Sequence, residues 1–283
     1  MVKRKKATPV TLAQWGQPHL LYLPLYIALY GGFSTHEGLD LTLEFAGNDD
    51  AIYKHVATGK AHFGIGDPIF IESARNKKYN VTCPALIVQR AALWGVTHNP
   101  AIPVLTHIED FVQLRIGSFP KPSTTYCVIA GLKEKHKRLL KYMQIVEAPI
   151  GKQSSLLSKN QADIILELEP MVSMAEMHGI RAVFSLADYQ PNAAFTGLMV
   201  SSVTDPATSH AMVTALQDGL HACHTNKKLA LTIAQQMFSD YPVQVLEKAY
   251  DRLKSSDVWP QTTTIDPTLW RNAVKLRKKS ELL

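Results

Sequence analysis

A chain of 283 residues with 46% hydrophobic and 19% charged residues has the composition of a folded globular protein and is long enough for two lobes. No apolar run approaches the ~18–20 residues of a membrane-crossing helix, so none is expected. The formal charge of +6 sits at the ends: Lys3, Arg4, Lys5 and Lys6 carry +4, and Lys275, Arg277, Lys278 and Lys279, less Glu281, carry +3, which leaves the body near −1. Such ends are expected to be solvated tails rather than nucleic-acid arms, and the run Lys133–Lys141 to be a solvated helix face.

The elements read in order as follows. A strand at Val10–Trp15 is broken by Gly16-Gln17-Pro18-His19. A helix at Leu23–Tyr30, with Leu25, Ala28 and Leu29 as its apolar stripe, ends at Gly31-Gly32. The alternating strand Leu39–Phe45, a helix at about Asp49–Thr58 and a strand at Ala61–Ile65 complete a βαβαβ unit. A helix at Ile69–Asn76 follows, then strands at Val81–Gln89 and Ala92–Thr97, expected to be antiparallel neighbours across a turn at Arg90-Ala91. The proline-rich loop His98–Pro103 is expected to carry the chain into a second lobe.

That lobe repeats the alternation. It has a short helix at His107–Val112, a strand at Leu114–Ser118 and a helix at Thr124–Lys133, then a strand at Tyr142–Ala148 and a helix at Gln153–Lys159. A strand at Ala162–Leu168, a helix at Pro170–Met177 and a strand at Arg181–Ser185 close it. Phe195–Ser201 is expected to return the chain to the first lobe, which four helices complete: Pro206–Thr225, Lys228–Phe238, Pro242–Leu253 and Pro267–Lys278. The expected division is 1–97 with 196–283 against 98–195, two α/β lobes hinged around a cleft.

Signatures of catalysis are missing: no G-x-S-x-G, H-E-x-x-H, P-loop or EF-hand loop occurs. Cys83, Cys127 and Cys223, odd in number and widely spaced, give no disulfide framework, and His221, Cys223 and His224 read as ordinary helix residues rather than metal ligands. Neither a metal nor a cofactor is expected. The basic start at Met1–Lys6 is followed by no apolar segment or small-residue cleavage site, so the chain as written is expected in the cytoplasm, and in the periplasm if a leader was removed or missed.

The candidate ligand contacts lie just past strand ends, where open α/β sheets bind. In the first lobe they are Trp15, which either stacks on a flat ligand or packs in the core, His19, Asn48 with Asp49 beside it, and Asp67, the acids and Asn48 also serving as turn residues or helix caps. In the second lobe Ser123, Thr124 and Thr125 open a helix whose positive end suits an anionic or carbonyl oxygen, and Tyr126 could wall the site. Glu169, with Glu167 as a weaker candidate, ends a strand where a carboxylate would accept from a ligand N–H. Phe195 and Thr196 would line the return crossing.

Three phrases carry a resemblance: Pro24-Leu-Tyr-Ile-Ala-Leu-Tyr-Gly-Gly-Phe33, Glu37-Gly-Leu-Asp-Leu41 and Ala57-Thr-Gly-Lys-Ala-His-Phe-Gly64. The chain resembles type II periplasmic binding proteins, in the group joining sulfonate-, nitrate- and pyrimidine-binding proteins with the yeast-type thiamine-pyrimidine synthase; His62 departs from the usual aspartate. The resemblance implies a two-lobed α/β fold with two mixed sheets and a central cleft. It also implies a monomeric binding protein for a small polar molecule, partnered by an ABC-transporter permease and not by nucleic acid. The ligand it implies is a thiamine pyrimidine precursor, a sulfonate or the like. The synthase branch would need a lysine and a histidine where Gly66 and Phe70 stand, and cysteines on the return segment, which reads Asn192-Ala-Ala-Phe-Thr-Gly-Leu198. Such an enzyme, or a ligand-sensing domain, stays as the alternative.

Overall fold

A computed structural model describes residues 7–73, 80–121, 123–149 and 151–279. In the first lobe β1 (Thr8–Trp15) runs parallel to β2 (Leu39–Gly47) and to β3 (Phe63–Gly66). On the far side of β3 lie β10 (Thr196–Ser201), antiparallel to it, and then β4 (Val81–Val88), giving the order β2-β1-β3-β10-β4.

The connecting helices are α1 (Leu23–Tyr30), a short α2 (Phe33–His36) after the Gly-Gly stop, α3 (Asp49–Ala57) and α4 (Ile69–Ser73). The expected continuation of the last to Asn76 lies outside the described residues, as does the basic run Lys3–Lys6. Helix α1 is not a surface helix with one apolar stripe: every residue from Leu23 to Ala28 is buried. A helix apolar all round has no face to give to water, and α8 (Pro206–Thr225) and α9 (Lys227–Met237) cover it.

The second sheet holds β5 (Trp94–Thr97), β6 (Arg115–Ser118), β7 (Gln144–Glu147), β8 (Ile164–Glu167) and β9 (Arg181–Ser185), in the order β7-β6-β8-β5-β9. Around it lie α5 (Thr124–Lys135), α6 (Ser154–Ser158) and α7 (Met171–Met177), with a 3₁₀ turn at Ile108–Phe111 where a short helix was expected.

The expected hairpin across Arg90-Ala91 does not form. β5 pairs with β8 and β9 in the second sheet, so the chain passes between the sheets at residues 89–93, ahead of the loop His98–Pro103. Backbone groups must find partners somewhere, and here they find them outside a hairpin. The Gln89 N–H donates to the Val258 carbonyl at 2.9 Å, while Ala193 N–H donates to Gln89 and Phe195 N–H to Val88. Outgoing and returning crossings therefore run side by side.

The last helices, α10 (Val243–Ser255) and α11 (Pro267–Lys279), also touch the second lobe: α10 packs on α7, and α11 packs on α5 as well as α4. The core of the first lobe depends on close approach between α1 and α8. A Cβ added at Gly219 would stand 2.4 Å from the Pro24 carbonyl oxygen and 2.8 Å from Ala28 Cβ. Gly219→Ala is expected to cost about 1–3 kcal/mol of stability through overpacking, read as a lower urea midpoint with an unchanged slope.

Candidate functional site

A cavity of about 300 Å³ opens where the C-terminal ends of the strands in both lobes face each other, over the paired crossings. Its first-lobe wall is aromatic. Trp15 ends β1 and meets the His19 ring edge-on at 5.2 Å, and His19 lies 5.5 Å from the Tyr22 ring. The backbone of His19 is held from behind: its main-chain N–H donates to the Tyr26 hydroxyl at 3.1 Å, which donates to Gln14 Oε1 at 2.9 Å. Burial lowers the His19 pKa to about 4, so the ring is neutral near pH 7. Phe70, Phe119 and Phe195 complete the apolar lining.

Two carboxylates stand at the strand ends. Asp49, at the first turn of α3, accepts the Asp67 N–H on Oδ1 at 2.8 Å. Burial, and then the negative charge of Asp67, push Asp49 up to about 6. Asp67 accepts the Ile69 N–H on Oδ1 at 3.0 Å, capping α4. Its Oδ2 accepts from Thr124 Oγ1, across the cleft, at 2.7 Å and from Arg277 Nη2. Burial disfavours the Arg277 charge, but the Asp67 carboxylate outweighs it and holds the guanidinium protonated.

Of the residues expected from sequence, Trp15, His19, Asn48, Asp67, Ser123, Thr124, Thr125 and Thr196 all line this cavity. Asn48 and Ser123 are also caps: their side chains accept the Ala51 and Tyr126 N–H groups at 2.9 and 3.2 Å. Two expectations are corrected. Tyr126 lies outside the lining, and the Lys121 ammonium sits 4.8 Å from its ring centre. Glu169 does not reach the cavity either. It is 1% exposed, and Ser173 Oγ and Arg252 Nη1 donate to its Oε1 at 2.9 and 2.6 Å while Ser173 N–H donates to Oε2 at 3.1 Å. Glu167, which burial pushes up to about 7, is also outside the lining.

Asp49, weighed with Asn48 past the second strand, also lines the cavity, while Tyr22 and Phe70 are lining residues for which the sequence carried no signal. The sequence reading also misread the basic C-terminus: Arg277 is 4% exposed and paired, not part of a solvated tail. Lys133–Lys141 is largely exposed, as expected. Among the described residues no group of three or more His, Cys, Asp or Glu is placed to hold a metal ion, and no helix is long and apolar enough to cross a membrane.

Residues 21–230 match the family model described as NMT1/THI5 like, and the chain belongs to that family. No curated protein matches the chain. Solved structures match over nearly its full length. A protein of Bordetella bronchiseptica RB50 has a TM-score of 0.74 at 22% identity, covering 98% of this chain and 91% of its own. The periplasmic aliphatic sulphonate binding protein SsuA of Escherichia coli gives 0.74 at 12%, covering 97% and 91%. The ligand binding component of an ABC-type import system from Staphylococcus aureus, with zinc bound, gives 0.73 at 15%, covering 98% and 93%. The fold is thus the two-lobed one of periplasmic binding proteins.

The neutral His19 has a measurable consequence. Its folded pKa lies below the ordinary 6.5, so as pH falls from about 6.5 toward 4 the unfolded chain takes up a proton that the folded chain refuses. Wild type should lose up to ~3 kcal/mol across this window relative to His19→Gln, with the two denaturation profiles parallel above pH 7.

Proposed function

We propose that this member of the NMT1/THI5-like family is a solute-binding protein. It closes two lobes over a small, flat, nitrogen-bearing heterocycle and presents the closed form to an ABC-type membrane permease, working as a monomer in the periplasm. The ligand class is an aminopyrimidine of the thiamine-precursor kind, ahead of a sulfonate.

One observation carries the ligand class: the cavity joins an aromatic wall, with a neutral histidine in it, to two strand-end carboxylates, the half-buried Asp49 and the buried Asp67. Aromatic faces hold a flat ring, and carboxylates accept from its N–H edge. An anion would have to approach Asp49 and Asp67; of the cations nearby, Arg277 is paired with Asp67, and in the lining Arg90 donates through Nη2 to the Ala187 carbonyl at 2.9 Å and Lys121 sits 4.8 Å from the Tyr126 ring centre. About 300 Å³ is the lower end of the range for small-molecule sites.

Geometry also weighs against the synthase reading. A Cβ at Gly66 would stand 2.5 Å from Asp49 Oδ1 and 3.2 Å from Ile52 Cδ1, so a lysine there would have to displace the Asp49 carboxylate from its bond to the Asp67 N–H. Phe70, where that branch would carry its histidine, is part of the cavity wall.

A thermal-shift screen over 4-amino-5-hydroxymethyl-2-methylpyrimidine, alkanesulfonates and nitrate tests the reading. At a hundred times its Kd the pyrimidine should add about 2.7 kcal/mol of stability, and Trp15→Ala should abolish the shift. A shift with alkanesulfonate alone overturns the ligand class, and turnover with added iron and a pyridoxal cofactor in place of any shift overturns the binding reading. If Asp49 is the acceptor, affinity should be flat above pH ~7 and fall toward tenfold per unit below about 6, as its carboxylate protonates. Asp49→Asn should remove that dependence.

A further inference from the structure

Helix α11 runs along one flank of the cleft and holds both lobes. At its start it sits on the return crossing: Ala194 N–H donates to the Leu269 carbonyl at 3.1 Å, and Asn272 Nδ2 donates to the Asn192 carbonyl at 2.9 Å. Trp270 Nε1 donates to Glu72 Oε1 on α4 of the first lobe at 2.7 Å. Further on, Leu276 lies over Gly131 of α5 in the second lobe, where an added Cβ would meet it at 3.0 Å. Arg277 then enters the space between the lobes. Its Nη2 donates to Asp67 of the first lobe and, at 2.9 Å, to Thr124 Oγ1 of the second, and its Nη1 donates to the Cys127 sulfur.

We propose that Arg277 is the clasp of the closed form, a positioning residue through which the C-terminal helix sets ligand affinity. The proposal rests on the solute-binding reading for its effect on affinity, but not for its effect on closure. A guanidinium taken out of water costs several kcal/mol, and that cost is offset only where all its acceptors are in place. Here they come from different lobes. Separating the lobes takes Thr124 and Cys127 away from Asp67, so the arginine must lose one set of partners or the other. The set is complete only when the cleft is shut, and Arg277 therefore raises the closed population. Apparent affinity scales with that population. The arginine also fixes the orientation of Asp67, whose other oxygen is held by the Ile69 N–H.

The test compares wild type, Arg277→Gln and Arg277→Lys, each first shown to be folded by circular dichroism. Small-angle scattering of the ligand-free proteins should give a larger radius of gyration for Arg277→Gln. Titration with 4-amino-5-hydroxymethyl-2-methylpyrimidine should show roughly 5–150-fold weaker binding, with Arg277→Lys in between. In the double variant Asp67→Asn/Arg277→Gln the losses should be less than additive, because both act on one contact. An arginine that merely stabilised the fold would lower the melting temperature and leave scattering and affinity unchanged, and that result overturns the proposal. If wild type does not bind the pyrimidine, the failure falls on the ligand class, and the scattering comparison alone decides the clasp.

Discussion

Both lobes, and the helix that straps them, converge on the carboxylate of Asp67. Its backbone N–H is taken by Asp49 at the head of α3, one of its oxygens caps α4, and the other receives Thr124 from the opposite lobe and Arg277 from α11. This junction requires glycine just before it, because Asp49 Oδ1 occupies the place where a side chain at Gly66 would begin. Strand β3 thus ends at a point where an added side chain would displace the carboxylate that holds Asp67. The shape of the cavity follows from that junction: Trp15, Asn48 and Asp67 stand on neighbouring strand ends of one sheet, and Thr124 is drawn to them by a direct hydrogen bond.

The electrostatics of the site follow from the same junction. Neighbouring carboxylates disfavour each other's charge. Arg277 pairs with Asp67, while burial, and then the charge of Asp67, raise the pKa of Asp49. On the other wall burial strips His19 of its proton. The cleft therefore presents a neutral aromatic face on one side and carboxylate oxygens on the other, with Arg90 and Lys121 also in its lining. The same arrangement makes affinity and closure sensitive to a residue near the chain's end, which belongs to neither sheet.

Much of this was legible in the sequence, and the failures have a common physical cause. The βαβαβ unit was legible because β2 alternates and α1 is bracketed by proline and the Gly-Gly pair, both local signals. The strand-end rule pointed to Trp15, His19, Asn48, Asp67 and Thr124, which line the cavity, because it needs only the end of a strand. The hairpin at Arg90-Ala91 was misread because two apolar strands with a short link look the same whether they pair or part; the groups that settle it, such as the Val258 carbonyl, lie far along the chain. Glu169 was placed at a strand end as expected, but its partner Arg252 is 83 residues away, and that ion pair turns the side chain from a ligand acceptor into a structural one. Arg277 was read as a tail because a basic run at a terminus looks solvated until its partner 210 residues earlier is known.

The two arginines that escaped the sequence reading form a pattern. Arg252 on α10 joins Glu169 and Glu176 of the second lobe, at 2.6 Å each, with its guanidinium 5.9 Å from the Trp94 ring centre. Arg277 on α11 joins the first lobe's Asp67 to the second lobe's Thr124. The C-terminal helices thus hold the second lobe from two directions, and the two contacts differ in kind. Around Arg252 both acids come from one lobe, so that pair can survive intact if the lobe and α10 move together. Around Arg277 the acceptors come from different lobes, so the set cannot survive separation. A contact that persists through a motion sets its path, and a contact that exists at only one end of it sets the population there. By that distinction Arg252 belongs to the scaffold on which the lobes turn, and Arg277 to the equilibrium that a bound ligand would shift.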